Sequence, residues 1–228
     1  MRAIYHAFAD LFENSDILIE GESAHHLNVV RVKIDEMLLL LNGQGSIVTG
    51  KITALSKNQV SVKVQKVESF VRQHELSLAI ANPKKDAFED ILKAAVELGV
   101  KNIYPLSSDF SQYDYVASER VARVMESALI QSNNPFFPAV HSQQSLKEFL
   151  STHQDQICFF NSKPSQETSV KAGVIPKTIL IGPEGGFSSG EISAILAFPK
   201  IQEIHLPTPI LRAPTAVAAS IGYLLAKQ

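Results

Sequence analysis

The stretch Thr178-Ile179-Leu180-Ile181-Gly182-Pro183-Glu184-Gly185-Gly186-Phe187 constrains this chain most, because an apolar run too short for a helix opens directly into a glycine-rich loop. Glycines let backbone N–H and C=O groups approach a neighbour closely, and a loop at the carboxyl edge of a sheet is where α/β proteins take their ligands. Ser188 and Glu191 follow at capping-box spacing, which predicts a helix start. Strand, glycine loop and helix in succession are the grammar of a nucleotide site. The loop has neither the G-x-G-x-x-G of the dinucleotide fingerprint nor the Lys-Ser/Thr ending of a P-loop. Gly186-Phe187-Ser188-Ser189-Gly190 matches the hydrolase elbow in form only. An elbow serine sits on the turn directly after its strand, whereas Ser188 lies well past Ile181 and serves as an N-cap.

Ahead of this loop, two kinds of periodicity divide the chain. Up to about residue 72 the pattern is strand-like: Ile17 to Glu20, Met37 to Leu41, Ile47 to Ala54 and Val60 to Val64, with Asn42-Gly43-Gln44-Gly45 and Ser56-Lys57-Asn58 as turns. This half reads as a small antiparallel barrel. Beyond it, strands alternate with helices. Leu76 to Ala81 is followed by a helix from about Asp86 to Leu98, with Gly99 at the left-handed position after its end. A strand at Asn102 to Leu106, a helix capped by Ser118, a short helix from Ser145 and a strand at Gln156 to Phe160 come next. The Ile179 strand, the Glu191 helix, a strand at Glu203 to Leu206 and a last helix from Pro214 complete the series. Strands separated by helices predict a parallel sheet covered on both faces. Residues 162 to 177, with Pro164, Gly173 and Pro176, read as a surface connection, and Gln65 to Gln73 as the domain junction.

The 228 residues fit one or two domains, and 45% hydrophobic with 19% charged residues is ordinary globular usage without a membrane-length apolar run. The start of the chain has no secretory pattern, and the single cysteine, Cys158, sits in an apolar run without a partner; both lead to the expectation of a cytoplasmic protein. A formal net charge of −2 gives no compositional support for nucleic-acid binding and leaves room for a local basic patch. Of seven histidines only His25 and His26 are adjacent, which on a strand sends them to opposite sides, so no metal site is expected.

A second loop, Leu206-Pro207-Thr208-Pro209-Ile210-Leu211-Arg212-Ala213-Pro214-Thr215-Ala216, carries one arginine immediately before an alanine-rich helix. Gly-Pro-Glu-Gly-Gly-Phe followed by Ile-Leu-Arg-x-x-Thr-Ala resembles the RsmE family, the SPOUT-superfamily methyltransferases of small-subunit ribosomal RNA. Ala24-His25-His26-Leu27-Asn28-Val29-Val30-Arg31 resembles the family's His-x-x-x-Val-Leu-Arg segment, and Lys93 to Val100 its Lys-x-x-Glu-Leu-Gly-Val helix end. Pro105 and the Gln131 to Pro138 segment also align.

The resemblance implies an α/β fold: a PUA-like or OB-like N-terminal β-barrel over residues 1–72 that binds RNA, and a SPOUT domain with a deep trefoil knot and parallel sheet over 73–228. It further implies S-adenosylmethionine as methyl donor, ribosomal RNA of the small (16S) subunit as substrate, methylation at N3 of a uridine, a homodimer and no metal. For the donor it points to Phe160, Asn161, Ile181, Gly182, Pro183, Glu184, Gly185, Gly186, Leu206, Ile210, Leu211, Thr215 and Ala216. N3 of uridine is a weakly acidic imide, and each pKa unit of mismatch costs about 1.4 kcal/mol, so the charge developing on the ring carbonyls needs stabilising. Arg212 is assigned that role, and Arg2, His25, Arg31 and Lys33 the contacts to RNA. The chain departs from the family where charge is usual: Phe110 and Asn134 replace arginines, Ile130 a glutamate, and Pro214 the glutamate two residues after the arginine. These changes keep an alternative open, an RNA-binding or ribosome-assembly protein that retains the fold without turnover. A small-molecule enzyme using Ser188 is the remaining reading.

Overall fold

The computed structural model describes residues 1–8, 11–162 and 176–227; Pro164 and Gly173 of the expected surface connection lie outside them. The chain divides into two compact units, Met1–Gln73 with Glu126–Phe137, and His74–Met125 with Pro138–Gln228.

The first unit is built on β1 (Arg2–Tyr5), β2 (Asp16–Glu20), α1 (Gly21–Val29), β3 (Met37–Leu41), β4 (Ser46–Leu55) and β5 (Gln59–Ser69), in the sheet order β1-β3-β4-β5-β2. Side chains alternate across a strand, so the period-two runs bury Ile17 and Ile19 of β2 and Val60, Val62 and Val64 of β5 in one core with Leu38, Leu40, Val48 and Ile52. The sheet is not purely antiparallel as expected. β1 pairs parallel to β3, because β2 and α1 supply the crossover length that a parallel pair requires. Helix α1 was not anticipated either. It begins at Gly21 with φ +65°, has no side-chain cap, and buries only Ala24 and Leu27, leaving His25 and His26 exposed on a helix rather than on a strand. The expected junction at Gln65 falls inside β5, whose Lys66 to Ser69 pair with Ser46 to Thr49.

Residues 126–137 belong to this unit for a packing reason. A Cβ on Gly43 would lie 2.3 Å from the Phe137 ring, and one on Gly45 would lie 2.5 Å from the Phe136 ring. These turn glycines are therefore docking sites for two aromatics, reinforced by Gly45 N–H donating to Pro135 O (2.8 Å) and Phe137 N–H to Gly43 O (2.8 Å). The Arg72 guanidinium sits 4.5 Å over the Phe136 ring and donates to Phe137 O at 2.6 Å.

The second unit alternates β6 (Ser77–Ala81), α2 (Lys85–Glu97), β7 (Asn102–Ser107), the first half of α3 (Glu119–Ser132, counted with the first unit from Glu126 on), β8 (Ala139–Val140), β9 (Gln144–Ser145), α4 (Leu146–Thr152), β10 (Ile157–Phe160), β11 (Thr178–Ile181), α5 (Ser189–Leu196), β12 (Ile201–Ile204) and α6 (Ala213–Leu225). Its sheet runs β12-β10-β11-β6-β7-β8 with β9 beside β7, every pairing parallel. Successive residues of β11 go to opposite faces. Ile179 and Ile181 join Phe88, Ile91 and Leu92 of α2 and Val217, Ile221 and Leu224 of α6; Leu180 joins Leu146 and Phe149 of α4 and Ile195 of α5. The sheet is thus buried on both faces, which is why its strands read as continuous apolar runs.

One strand is displaced from its expected position and two short ones were not expected. β12 occupies Ile201–Ile204 rather than Glu203 to Leu206, since its partner β10 spans only Ile157 to Phe160 and the register ends at Phe160 opposite Ile204. His205 and Leu206 consequently belong to the loop. The two-residue strands β8 and β9 are too short to carry a periodicity. Among the described residues, no helix is long and apolar enough to cross a membrane.

Candidate functional site

Because every strand of the second unit points the same way, the segments after β6, β7, β10, β11 and β12 all leave from one edge. Gly182 begins the loop after β11. A Cβ there would lie 3.2 Å from the Phe187 ring and 3.3 Å from the Gly186 carbonyl carbon. Gly186 N–H donates to Pro183 O (2.9 Å) to close a tight turn, and its φ of +71° is the left-handed conformation that glycine adopts without steric cost. The turn delivers Ser188 as N-cap of α5. Its hydroxyl accepts the Glu191 N–H (3.3 Å), while the Glu191 carboxylate accepts the Ser188 N–H (2.9 Å) and, through its other oxygen, the Asp109 N–H (2.9 Å). Glu191 therefore ties the segment after β7 to α5. Phe110 in that segment lies against Gly185, where a Cβ would meet its Cβ at 3.2 Å.

Beside this loop, the ends of β10 and β12 and the start of α6 enclose a crevice of about 80 Å³. Phe160, Asn161, Ser162, Ile204, His205, Leu206, Thr208, Pro209, Leu211, Ala216 and Ser220 line it. Whole-ligand pockets run about 300–1,000 Å³, so this space suits one ring of a larger molecule. Its mouth is knit by hydrogen bonds: Asn161 N–H donates to Ile204 O (3.0 Å), the Asn161 amide to Glu203 Oε1 (2.8 Å), and His205 Nδ1 lies 3.2 Å from Asn161 O. The Ser220 hydroxyl is fully buried with no hydrogen-bond partner among the described residues. A larger groove, about 870 Å³, opens on the other face of the sheet between α4 and α5. None of its lining residues carries an unpartnered buried polar atom, and the Ser188 and Ser145 hydroxyls there are engaged in capping boxes.

Five residues expected to act together, Phe160, Asn161, Leu206, Leu211 and Ala216, meet in the crevice. Ile181 ends β11, Gly182, Pro183, Glu184, Gly185 and Gly186 form the neighbouring loop, and none of the six is among its walls; Ile210 is 76% exposed and Thr215 is exposed on the first turn of α6. Arg212 is the N-cap residue of α6, with an exposed side chain that makes no ion pair among the described residues. Sequence reasoning missed His205, Thr208 and Ser220. The last carried a signal, a serine on the inward face of an alanine-rich helix. It also missed a part-buried network at the same sheet edge. The Asn82 amide donates to Gln143 Oε1 (2.6 Å), which also accepts the Tyr115 N–H (2.6 Å), and the Gln143 amide donates to Asp114 (2.8 Å).

Cys158 is fully buried in β10, and burial pushes its thiol up to about 12, which removes it as a nucleophile. No group of three His, Cys, Asp or Glu suited to a metal occurs among the described residues.

In the first unit, Arg2 Nε donates to Glu36 Oε1 (3.2 Å), and Glu36 Oε2 accepts the Lys33 N–H (3.0 Å). His25, Arg31 and Lys33 are exposed. Arg31 has φ +55°. It stands just past α1, where Val32 N–H donates to Leu27 O (3.2 Å) and Arg31 N–H to Asn28 O (3.0 Å), the two bonds of a Schellman motif. The same motif closes α2, with Val100 N–H to Ala95 O, Gly99 N–H to Val96 O, and glycine at the left-handed position.

A family described as an RNA methyltransferase domain matches residues 71–225, and one described as an RNA methyltransferase PUA domain matches residues 19–65. The ribosomal RNA small subunit methyltransferase E of Rickettsia conorii is 28% identical over 222 residues, covering 93% of this chain and 90% of that protein. The protein of the same name from Aquifex aeolicus is 25% identical, with 92% and 93% covered. In fold, the chain is similar to the Neisseria gonorrhoeae ribosomal RNA small subunit methyltransferase E bound to S-adenosyl methionine, with a TM-score of 0.87, 24% identity, and 100% and 98% of the two chains covered. Sheet, loops and both matched regions lead to one conclusion: this chain belongs to the RsmE family of RNA methyltransferases.

Proposed function

We propose that this chain uses S-adenosylmethionine to methylate N3 of a uridine in small-subunit ribosomal RNA. The observation that carries the reading is the meeting of Phe160, Asn161, Leu206, Leu211 and Ala216 in one crevice beside the glycine loop. The residues suit the donor on physical grounds. A crevice with Phe160, Leu206, Leu211 and Ala216 among its walls accepts a flat ring, the Gly182 turn has no room for a side chain, and an unpartnered hydroxyl waits in the crevice wall. When bound, S-adenosylmethionine supplies an electrophilic methyl group on a sulfonium.

The chain's own groups do the rest. Arg212 projects from the start of α6 and is free to sit against the uridine carbonyls, where its charge stabilises the anion left when N3 loses its proton. A guanidinium does not deprotonate in proteins, so it is not the base. Arg31 and Lys33, exposed and without ion pairs among the described residues, contact phosphate; Arg2 joins them by exchanging its Glu36 partner, a surface pair worth at most about 1 kcal/mol. His25 lies exposed on the neighbouring helix α1. The functional division expected from the sequence, RNA binding over residues 1–72 and methyl transfer over 73–228, is part of this proposal. So are a homodimer and a cytoplasmic location. The outward residues Thr215, Ala218 and Gly222 of α6 support the dimer, because small side chains let a second helix approach closely.

Mass spectrometry of ribosomal RNA from a deletion strain tests the reading. One methyluridine disappears and returns with the wild-type gene but not with Arg212→Ala; unchanged methyluridine refutes it. Pro214 in the first turn of α6 and Phe110 against Gly185 favour the second reading, an RNA-binding protein without turnover. Donor binding without methyl transfer to small subunits would select it.

A further inference from the structure

Helix α6 presents Val217, Ser220, Ile221 and Leu224 inward, all fully buried. Three of the four are hydrocarbon. The fourth places a hydroxyl where no water reaches it and no described residue bonds it. A helical serine ordinarily settles its hydroxyl on the carbonyl one turn back, but Ser220 Oγ has no such bond. Buried polar groups without partners are rare in folded proteins, and each calls for an explanation. Alanine would satisfy the packing, as it does at 216 and 219 on the same helix. Ser220 is also a wall of the 80 Å³ crevice, whose other walls include Phe160, Ile204, Leu206, Leu211 and Ala216.

We propose that the Ser220 hydroxyl is the polar anchor of the crevice and hydrogen-bonds to a ring nitrogen of the purine of S-adenosylmethionine. The inference rests on the donor reading above and assigns an orientation within it. The crevice is lined by apolar groups and by neutral polar ones, with no carboxylate, ammonium or guanidinium among them, and cannot compensate the desolvation of the ammonium, the carboxylate or the sulfonium, so the charged end of the donor stays out. A purine has flat faces for Phe160 and Leu206 and ring nitrogens along its edge that accept from a hydroxyl. Ser220 is thereby a determinant of base identity, acting beside the main-chain turns rather than on the reacting methyl.

Calorimetric titration of wild type and Ser220→Ala with S-adenosylhomocysteine, together with melting of the ligand-free proteins, tests the assignment. The variant should bind about tenfold more weakly, the loss of one good hydrogen bond, while its ligand-free melting temperature stays level or rises because an unpaired hydroxyl has gone. Among the 1-deaza, 3-deaza and 7-deaza analogues, wild type should discriminate against one, and Ser220→Ala should not. Binding by the variant within twofold of wild type overturns the role of Ser220 and leaves the donor reading standing. A fall in ligand-free stability matching the fall in affinity, with analogue discrimination intact, assigns Ser220 to packing and overturns the proposal. Failure of wild type to bind S-adenosylhomocysteine overturns the donor reading, and this inference with it.

Discussion

Replacing Arg31 with glycine should stabilise the protein while weakening its hold on RNA. The two Schellman motifs make the comparison internal: α2 closes with Gly99 at φ +72°, whereas α1 closes with Arg31 at φ +55°. An L-residue in that conformation costs about 1–2 kcal/mol through its Cβ. Glycine removes this strain but loses about 0.4–1 kcal/mol through the freedom it adds to the unfolded chain. The net gain is about 0.5–1 kcal/mol. At about 2–4 °C per kcal/mol for a chain of this size, the melting temperature should rise by about 1–4 °C. Binding to single-stranded ribosomal RNA fragments should weaken, and its logarithmic salt slope should fall by about 0.7, the value of one phosphate contact. Arg31→Ala is the control. It keeps the left-handed Cβ and loses the guanidinium, so it should lose RNA affinity without gaining stability. A glycine variant that melts lower than wild type refutes the strain argument, and one with an unchanged salt slope refutes the phosphate contact.

Gly182→Ala places a methyl 3.2 Å from the Phe187 ring and 3.3 Å from the Gly186 carbonyl carbon. It should cost about 1–3 kcal/mol by overpacking and reduce S-adenosylmethionine affinity severalfold, read by calorimetry; wild-type affinity would mean that the turn does not shape the donor site. His6, His141 and His153 are all held below the ordinary imidazole value of 6.5, in each case chiefly by burial. The unfolded chain therefore takes up protons first, and the urea midpoint should fall as pH drops below about 6.5; a flat midpoint between pH 7 and 5 refutes this. Cys158, with its thiol pushed up to about 12 and no exposure, should resist iodoacetamide in the native protein at neutral pH and react fully in urea. Native-state labelling at the rate of a free thiol would show that β10 opens.

The parts that were legible in the sequence are those in which a local pattern has a local cause. The capping box Ser188–Glu191 marks a helix because the two side chains satisfy each other's orphan N–H groups, and Gly99 marks an end because glycine fits the left-handed position. The buried parallel strands showed as unbroken apolar runs for the reason given by their two cores. Helix α1 was hidden because only two of its residues face inward and no side chain caps it. The boundary of β12 was misread because hydrophobicity continues through Leu206 while the partner strand stops at Phe160. Of the candidate site, the two loops were legible as loops. The crevice was not, since its walls come from β10, the loop after β12, and α6, and only the fold brings Phe160 to Ser220.

The glycines at 43 and 45 carry a further consequence for how the chain becomes a protein. Their aromatic lids, Phe136 and Phe137, are encoded far downstream, and the Arg72 bond to Phe137 O spans 65 positions. A ribosome releasing the first seventy-odd residues has therefore produced a sheet with two uncovered hollows, unable to finish until the later segment emerges. A fragment cut at residue 72 should reproduce the strands yet melt broadly and bind hydrophobic dyes. Supplying residues 126–137 as a peptide should sharpen the transition.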